Sequence, residues 1–151
     1  MALPSSEHLQ GMLAVYLAAA ELTKQGFTVC VTSRNAAAAD LLVTDENCRK
    51  AWSVQVKKNS GMQRYWRAGK RAKELFSGSY VYVFLLLYPD DPPDFFVVPS
   101  SVVAARVQSG GSDNAFPATD AQKYKDGWDI LGTVPNDVSQ FQDEQTESLT
   151  L

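Results

Sequence analysis

Three polar residues stand where the surrounding pattern is apolar: Asp40 opens the run DLLVT, and Gln55 and Lys57 interrupt AWSVQVK. A carboxylate and an amide oxygen can hold a hard divalent cation such as Mg²⁺ or Mn²⁺. An ammonium beside them can orient a water or stabilise charge developing on a phosphate. Together they suit metal-assisted attack on a phosphodiester. With Gln55 neutral, Asp40 is the one anion placed at the ion, so binding is expected to be weaker than at a site with two or three carboxylates.

The elements must bring the three together. Side chains alternate along a strand, so Ser53, Gln55 and Lys57 share one face while Trp52, Val54 and Val56 take the other. If a hairpin turns around Asn47 and Cys48, within DENCRK, Asp40 falls opposite Gln55, with Cβ atoms about 5 Å apart. By residue types alone, the same set also fits a solvated polar face on which Lys57 merely pairs with Asp40.

Around this pair of strands, residues 6 to 25 predict a helix, with Leu9, Met12, Leu13, Tyr16 and Ala20 at helical spacing and Gly26 as its stop. That helix is apolar nearly all round and is expected to be well buried. Strands are expected at 27–31, 40–44 and 51–57. A second, basic helix is expected over 63–76, carrying Tyr65, Ala68, Ala72 and Phe76 on one stripe and weakened by Gly69. The run SYVYVFLLLY, 79–88, predicts the central strand of the sheet. After the turn PDDPP come a strand at 95–98 and a short helix opened by Pro99. The segment QSGGSDN, 108–114, reads as flexible, and a short helix near YKDGWDIL is expected to dock Trp128 and Leu131. The order implies a mixed α/β or α+β domain with a small central sheet, over residues 1–134. A flexible acidic tail is expected over 135–151.

Composition narrows the function classes. With 45% hydrophobic and 21% charged residues among 151, the chain can bury a core without disulfides. Cys30 and Cys48 read as reduced thiols, and one histidine (His8) with no CxxC leaves zinc almost no ligands. No apolar run is long enough to cross a bilayer, and the N-terminus lacks a signal-peptide pattern, so a cytoplasmic protein is expected. Lys57, Lys58, Arg64, Arg67, Lys70, Arg71 and Lys73 make up half of the 14 basic residues. They form either a polyanion-facing surface or a solvated face. Tyr65 and Trp66 within that cluster read first as packing, with Trp66 the better of the two for stacking on an unpaired base.

The layout of GMLAVYLAAAELTKQGF, ADLLV and VQVKK, followed by a basic helix and an apolar strand, resembles the PD-(D/E)XK nuclease superfamily, over roughly residues 9 to 100. It is most similar to small prokaryotic and phage members with a QVK strand. The resemblance implies a restriction-endonuclease-like αβββαβ core, a central mixed sheet flanked by helices, and a Mg²⁺-dependent endonuclease acting on DNA, with RNA a further option. By position, Asp40 matches the metal-binding acid, Gln55 the second ligand, the Val56 carbonyl the backbone ligand and Lys57 the catalytic lysine. Lys58, Arg64, Arg67, Lys70 and Arg71 become phosphate contacts, and a homodimer could cut two strands. The chain departs from the pattern in two places. Gln55 replaces the usual acid, and Val15 stands where related sequences often carry a helix glutamate. Glu21 is about 240° round the helix from Val15. Glu7 reaches the site only if the first turn is well placed. The alternative function is a nuclease-like fold that has lost hydrolysis and serves as a nucleic-acid-binding or assembly module.

Overall fold

The computed structural model of the chain describes residues 2–33, 38–110 and 113–133; the expected acidic tail, 135–151, lies outside them. Helix α1 (Glu7–Lys24) begins where Ser6 caps it, its side chain accepting from the Leu9 N–H, and ends before Gly26, whose φ of 98° favours glycine. A five-stranded sheet follows in the order β1-β2-β3-β5-β6, formed by β1 (Thr28–Val31), β2 (Leu41–Thr44), β3 (Ala51–Ser60), β5 (Tyr80–Leu87) and β6 (Asp94–Pro99). The β3–β5 pairing is parallel and the other three are antiparallel, so the sheet is mixed.

The sheet divides two cores. Leu41, Val43, Trp52, Val54, Val81 and Val83 pack towards Ala14, Ala18 and Leu22 of α1, and Trp128 and Leu131 join this side as the sequence predicted. On the other side, Tyr82, Phe84, Phe96 and Val98 meet Trp66, Phe116 and Val103. Val103 comes from α2 (Ser100–Arg106), opened by Pro99. Trp66 and Phe116 come from a second sheet of β4 (Tyr65–Arg67), β7 (Gln108–Gly110) and β8 (Asp113–Pro117), in the order β4-β8-β7. Short helices α3 (Ala118–Ala121) and α4 (Ile130–Thr133) complete the described chain.

The mixed α+β class, with a central mixed sheet flanked by helices, is as expected. Four local expectations are not met. The basic helix over 63–76 is replaced by β4 and a series of turns, because Tyr65, Trp66 and Arg67 pair with Pro117, Phe116 and Ala115 and Gly69 then takes a φ of 99°. The spacing of Ala68 and Ala72, both buried, imitated a helical stripe, whereas Tyr65 and Phe76 are exposed. Of the segment 108–114, residues 108–110 pair with 113–115 as β7 and β8, and 111–112 lie outside the described residues. Helix α1 buries one face only, leaving Leu9 and Tyr16 more than half exposed, since none of the described residues forms a layer over its outer side. The middle strand is β3; β5 lies beside it, between β3 and β6.

Candidate metal and phosphodiester site

The β2–β3 hairpin has the predicted register: Leu41, Leu42, Val43 and Thr44 face Val54, Ser53, Trp52 and Ala51, so the pairing continues towards Asp40 and Gln55. Asp45 shapes the turn, its Oδ1 accepting from the Arg49 and Lys50 N–H groups at 2.6 and 2.8 Å, and Cys48 adopts a φ of 56°. Strand β3 runs ten residues and β2 only four, so β3 continues beyond Val54 with β5 on one side and no further β2 pairing on the other. That open edge is where the polar residues gather.

Asp40 stands at the start of that edge. Its N–H donates to the Val54 carbonyl at 2.8 Å, and its Oδ2 accepts from the Val56 N–H at 2.8 Å and from the Gln55 Nε2 at 2.7 Å. Burial pushes the Asp40 carboxyl above the ordinary carboxylate range, against the Val56 hydrogen bond and the nearby Lys57 ammonium, which both lower it. The hairpin therefore holds a half-buried carboxylate whose charged form gains from any added cation.

Asp40, Gln55, Val56 and Lys57 all line a cleft of about 460 Å³. Its opposite wall is the start of α1. Glu7, Gly11 and Val15 are spaced every four residues and lie along one helix face, and Gly11 adds no side chain between the other two. Val15 is buried and apolar. The first turn is placed as the sequence reading required for Glu7, but its Oε2 is bound to the Lys58 Nζ at 2.6 Å. Lys58 also donates to the Gln10 Oε1 at 2.9 Å. His8 lines the cleft too, a position its residue type alone did not signal; only its place next to Glu7 in the first helical turn could have suggested it.

The donor set suits a hard ion. The Asp40 carboxylate, the Val56 carbonyl and the Gln55 amide oxygen would hold it, with Gln55 turning over the amide that now donates to Asp40. Among the described residues, no group of three or more His, Cys, Asp and Glu side chains converges.

The basic residues divide around Lys57. Lys57, Lys58 and Arg67 line a groove of about 570 Å³, and Lys57, Lys70 and Arg71 line another of about 250 Å³ on the side of Tyr80 and Tyr82. Arg64, Arg67, Lys70 and Arg71 are exposed. Lys58 is only 17% exposed and already paired, so it is not a free phosphate contact in this state. The aromatic assignment is reversed: Trp66 is 1% exposed and donates its Nε1–H to the Leu85 carbonyl at 2.9 Å, while Tyr65 is 41% exposed. Alternation along β4 sends the two to opposite faces. Both cysteines are exposed free thiols, and no described helix is long and apolar enough to cross a membrane.

Solved structures share the fold, two of them nucleases by name. A bacterial homing endonuclease, I-Ssp6803I, is similar over 94% of this chain and 99% of its own, at 23% identity and a TM-score of 0.58. The Holliday junction resolvase Hjc of Archaeoglobus fulgidus is similar over 76% of this chain and 88% of its own, at 14% identity and a TM-score of 0.52. Both likenesses, at 23% and 14% identity, are likenesses of fold. No family profile and no curated protein sequence matches the chain.

Proposed function

We propose that the chain is a divalent-metal-dependent endonuclease that hydrolyses DNA phosphodiester bonds at the open edge of β3. The observation that carries this reading is the convergence of Asp40, Gln55 and Lys57 at one cleft wall, with Asp40 bonded to both Gln55 and the Val56 N–H. The likeness to two nucleases supports it.

A bound Mg²⁺ or Mn²⁺ supplies positive charge for the phosphate and for the attacking water. The chain's own residues do the rest. Asp40 would anchor the ion site, and the Gln55 amide, turned away from its bond to Asp40, would present its oxygen beside it. Lys57, at the meeting point of the cleft and both basic grooves, orients the water and stabilises charge on the phosphate. Arg67, Lys70 and Arg71 hold the flanking backbone, and Arg64 contributes from the exposed surface. Phosphate arriving at Lys58 competes with Glu7 for the ammonium. Glu7 is then released towards the cleft it already lines, adding a second carboxylate to a site that otherwise has one.

The second reading, a nuclease-like module that binds nucleic acid without cutting it, is favoured by one observation: Val15 gives the cleft an apolar side chain where the resemblance implies a glutamate. Cleavage assays with Mg²⁺, Mn²⁺ and EDTA separate the two. Metal-dependent product supports the nuclease; salt-sensitive binding with no product in any metal supports the binding module.

A further inference from the structure

We infer that Tyr65 is a stacking platform for an unpaired nucleobase beside the scissile phosphate, so that the preferred substrate is DNA with a nucleotide out of its stack next to the cut. The inference rests on the nuclease reading for the position of the phosphate.

Strand β4 is fixed along its length. The Arg64 carbonyl accepts from the Ala118 N–H at 2.8 Å, the Ala68 N–H donates to the Asn114 carbonyl at 2.8 Å, and Trp66 is buried and bonded to Leu85. The Asn59 side chain donates to the Tyr65 carbonyl and to the Gln63 side chain, tying β4 to the end of β3 that follows Lys57. The Tyr65 backbone is therefore already ordered, and little further conformational entropy is lost when its ring is covered.

The ring itself is uncommitted. It is 41% exposed and, among the described residues, stacks on no other aromatic ring, unlike the cluster of Trp66, Phe84, Phe96 and Phe116 behind it. It forms part of the wall of the 570 Å³ groove that also contains Lys57, Lys58, Asn59 and Arg67. The Lys57 and Arg67 cations suit a phosphate backbone, and an aromatic face beside them suits a base. In an intact duplex both faces of each base are already covered by neighbours. A tyrosine gains stacking only where a base is unpaired or displaced, which selects flaps, bulges and junction-like ends over continuous duplex.

The test uses the full chain in EDTA, so that binding is read without cleavage. Fluorescence is followed as protein is added to a paired duplex and to the same duplex carrying an unpaired flap that contains 2-aminopurine. Wild type is expected to favour the flap duplex and to alter 2-aminopurine emission by stacking. Tyr65→Ala should weaken flap binding by roughly 5- to 150-fold, lose the emission change and leave duplex binding almost unmoved. Tyr65→Phe should restore both. An equal loss on the two DNAs, or none, overturns the inference, since a ring packed on sugar and phosphate would not discriminate between them. Parallel cleavage with Mg²⁺ keeps the two claims apart. Cutting without flap preference removes the stacking role and leaves the nuclease. Flap preference and quenching without cutting support the stacking and remove the nuclease. No binding to either DNA removes both.

Discussion

Asp40 is held where folding alone would not favour a charge. Its carboxyl is raised above the ordinary range by burial, so the folded state binds its proton more tightly than the unfolded chain does. This residue's contribution to stability is therefore fully present below the unfolded carboxylate pKa and is lost as pH rises through the folded one. Asp40→Asn keeps a single oxygen able to accept from Val56 and Gln55 while removing the charge. Thermal denaturation in EDTA at neutral pH is expected to give the variant a Tm equal to or above that of wild type, with cleavage abolished; a fall of several degrees would show that the ionised form stabilises the fold. Glu7→Gln tests the second carboxylate. It should leave Mn²⁺ affinity nearly unchanged without DNA, when Glu7 is paired with Lys58, and lower it severalfold when an uncleavable DNA occupies the site. Much of this arrangement was legible from residue types and strand alternation, since Asp40, Gln55 and Lys57 stand out against apolar neighbours. The Glu7–Lys58 pair was not, because it depends on how α1 crosses the sheet, which no local pattern specifies.

At the scale of elements, β4 is where a helical reading failed. A period of four in Ala68 and Ala72 outweighed the alternation of three residues, Tyr65 to Arg67, yet pairing with β8 and burial of Trp66 decided the outcome. Trp66→Ala removes a fully buried ring and its bond to Leu85, so it should cost about 3–5 kcal/mol in urea unfolding. Tyr65→Ala, one residue away on the opposite face, should lie within about 1 kcal/mol of wild type. Similar losses at both positions would contradict the strand. The hairpin that carries the site was predicted correctly because its turn is written locally in DENCRK. The Arg49 and Lys50 N–H groups hold the Asp45 carboxyl below its ordinary range, the Lys50 bond being the larger cause. Such a group stabilises above the unfolded carboxylate pKa and loses that contribution as pH falls through the folded one. Asp45→Ala should accordingly lower Tm at neutral pH, and the difference should shrink steadily on acidification.

For the whole molecule, the proposed function draws on both sheets: β3 would supply the chemistry and β4 with its following turns the flanking charge. The mixed sheet and its covering helix were readable from periodicity. The second sheet was not, since its strands are three to five residues long and one follows a glycine-rich stretch. On that proposal, DNA binding is a distributed electrostatic property. Reversing Arg67 and Arg71 to glutamate should weaken binding and flatten the dependence of log K on log salt by about 0.9 for each phosphate that is no longer neutralised. An unchanged slope would mean that these arginines are merely solvated. The central claim, that the open edge of β3 is a working nuclease site, is tested most directly by incubating plasmid and single-stranded DNA with Mg²⁺, Mn²⁺ or EDTA, comparing wild type with Lys57→Ala. Metal-dependent cutting by wild type that disappears in EDTA and in Lys57→Ala is the expected result. Equal cutting by a folded Lys57→Ala protein, or none by wild type in either metal, would contradict it.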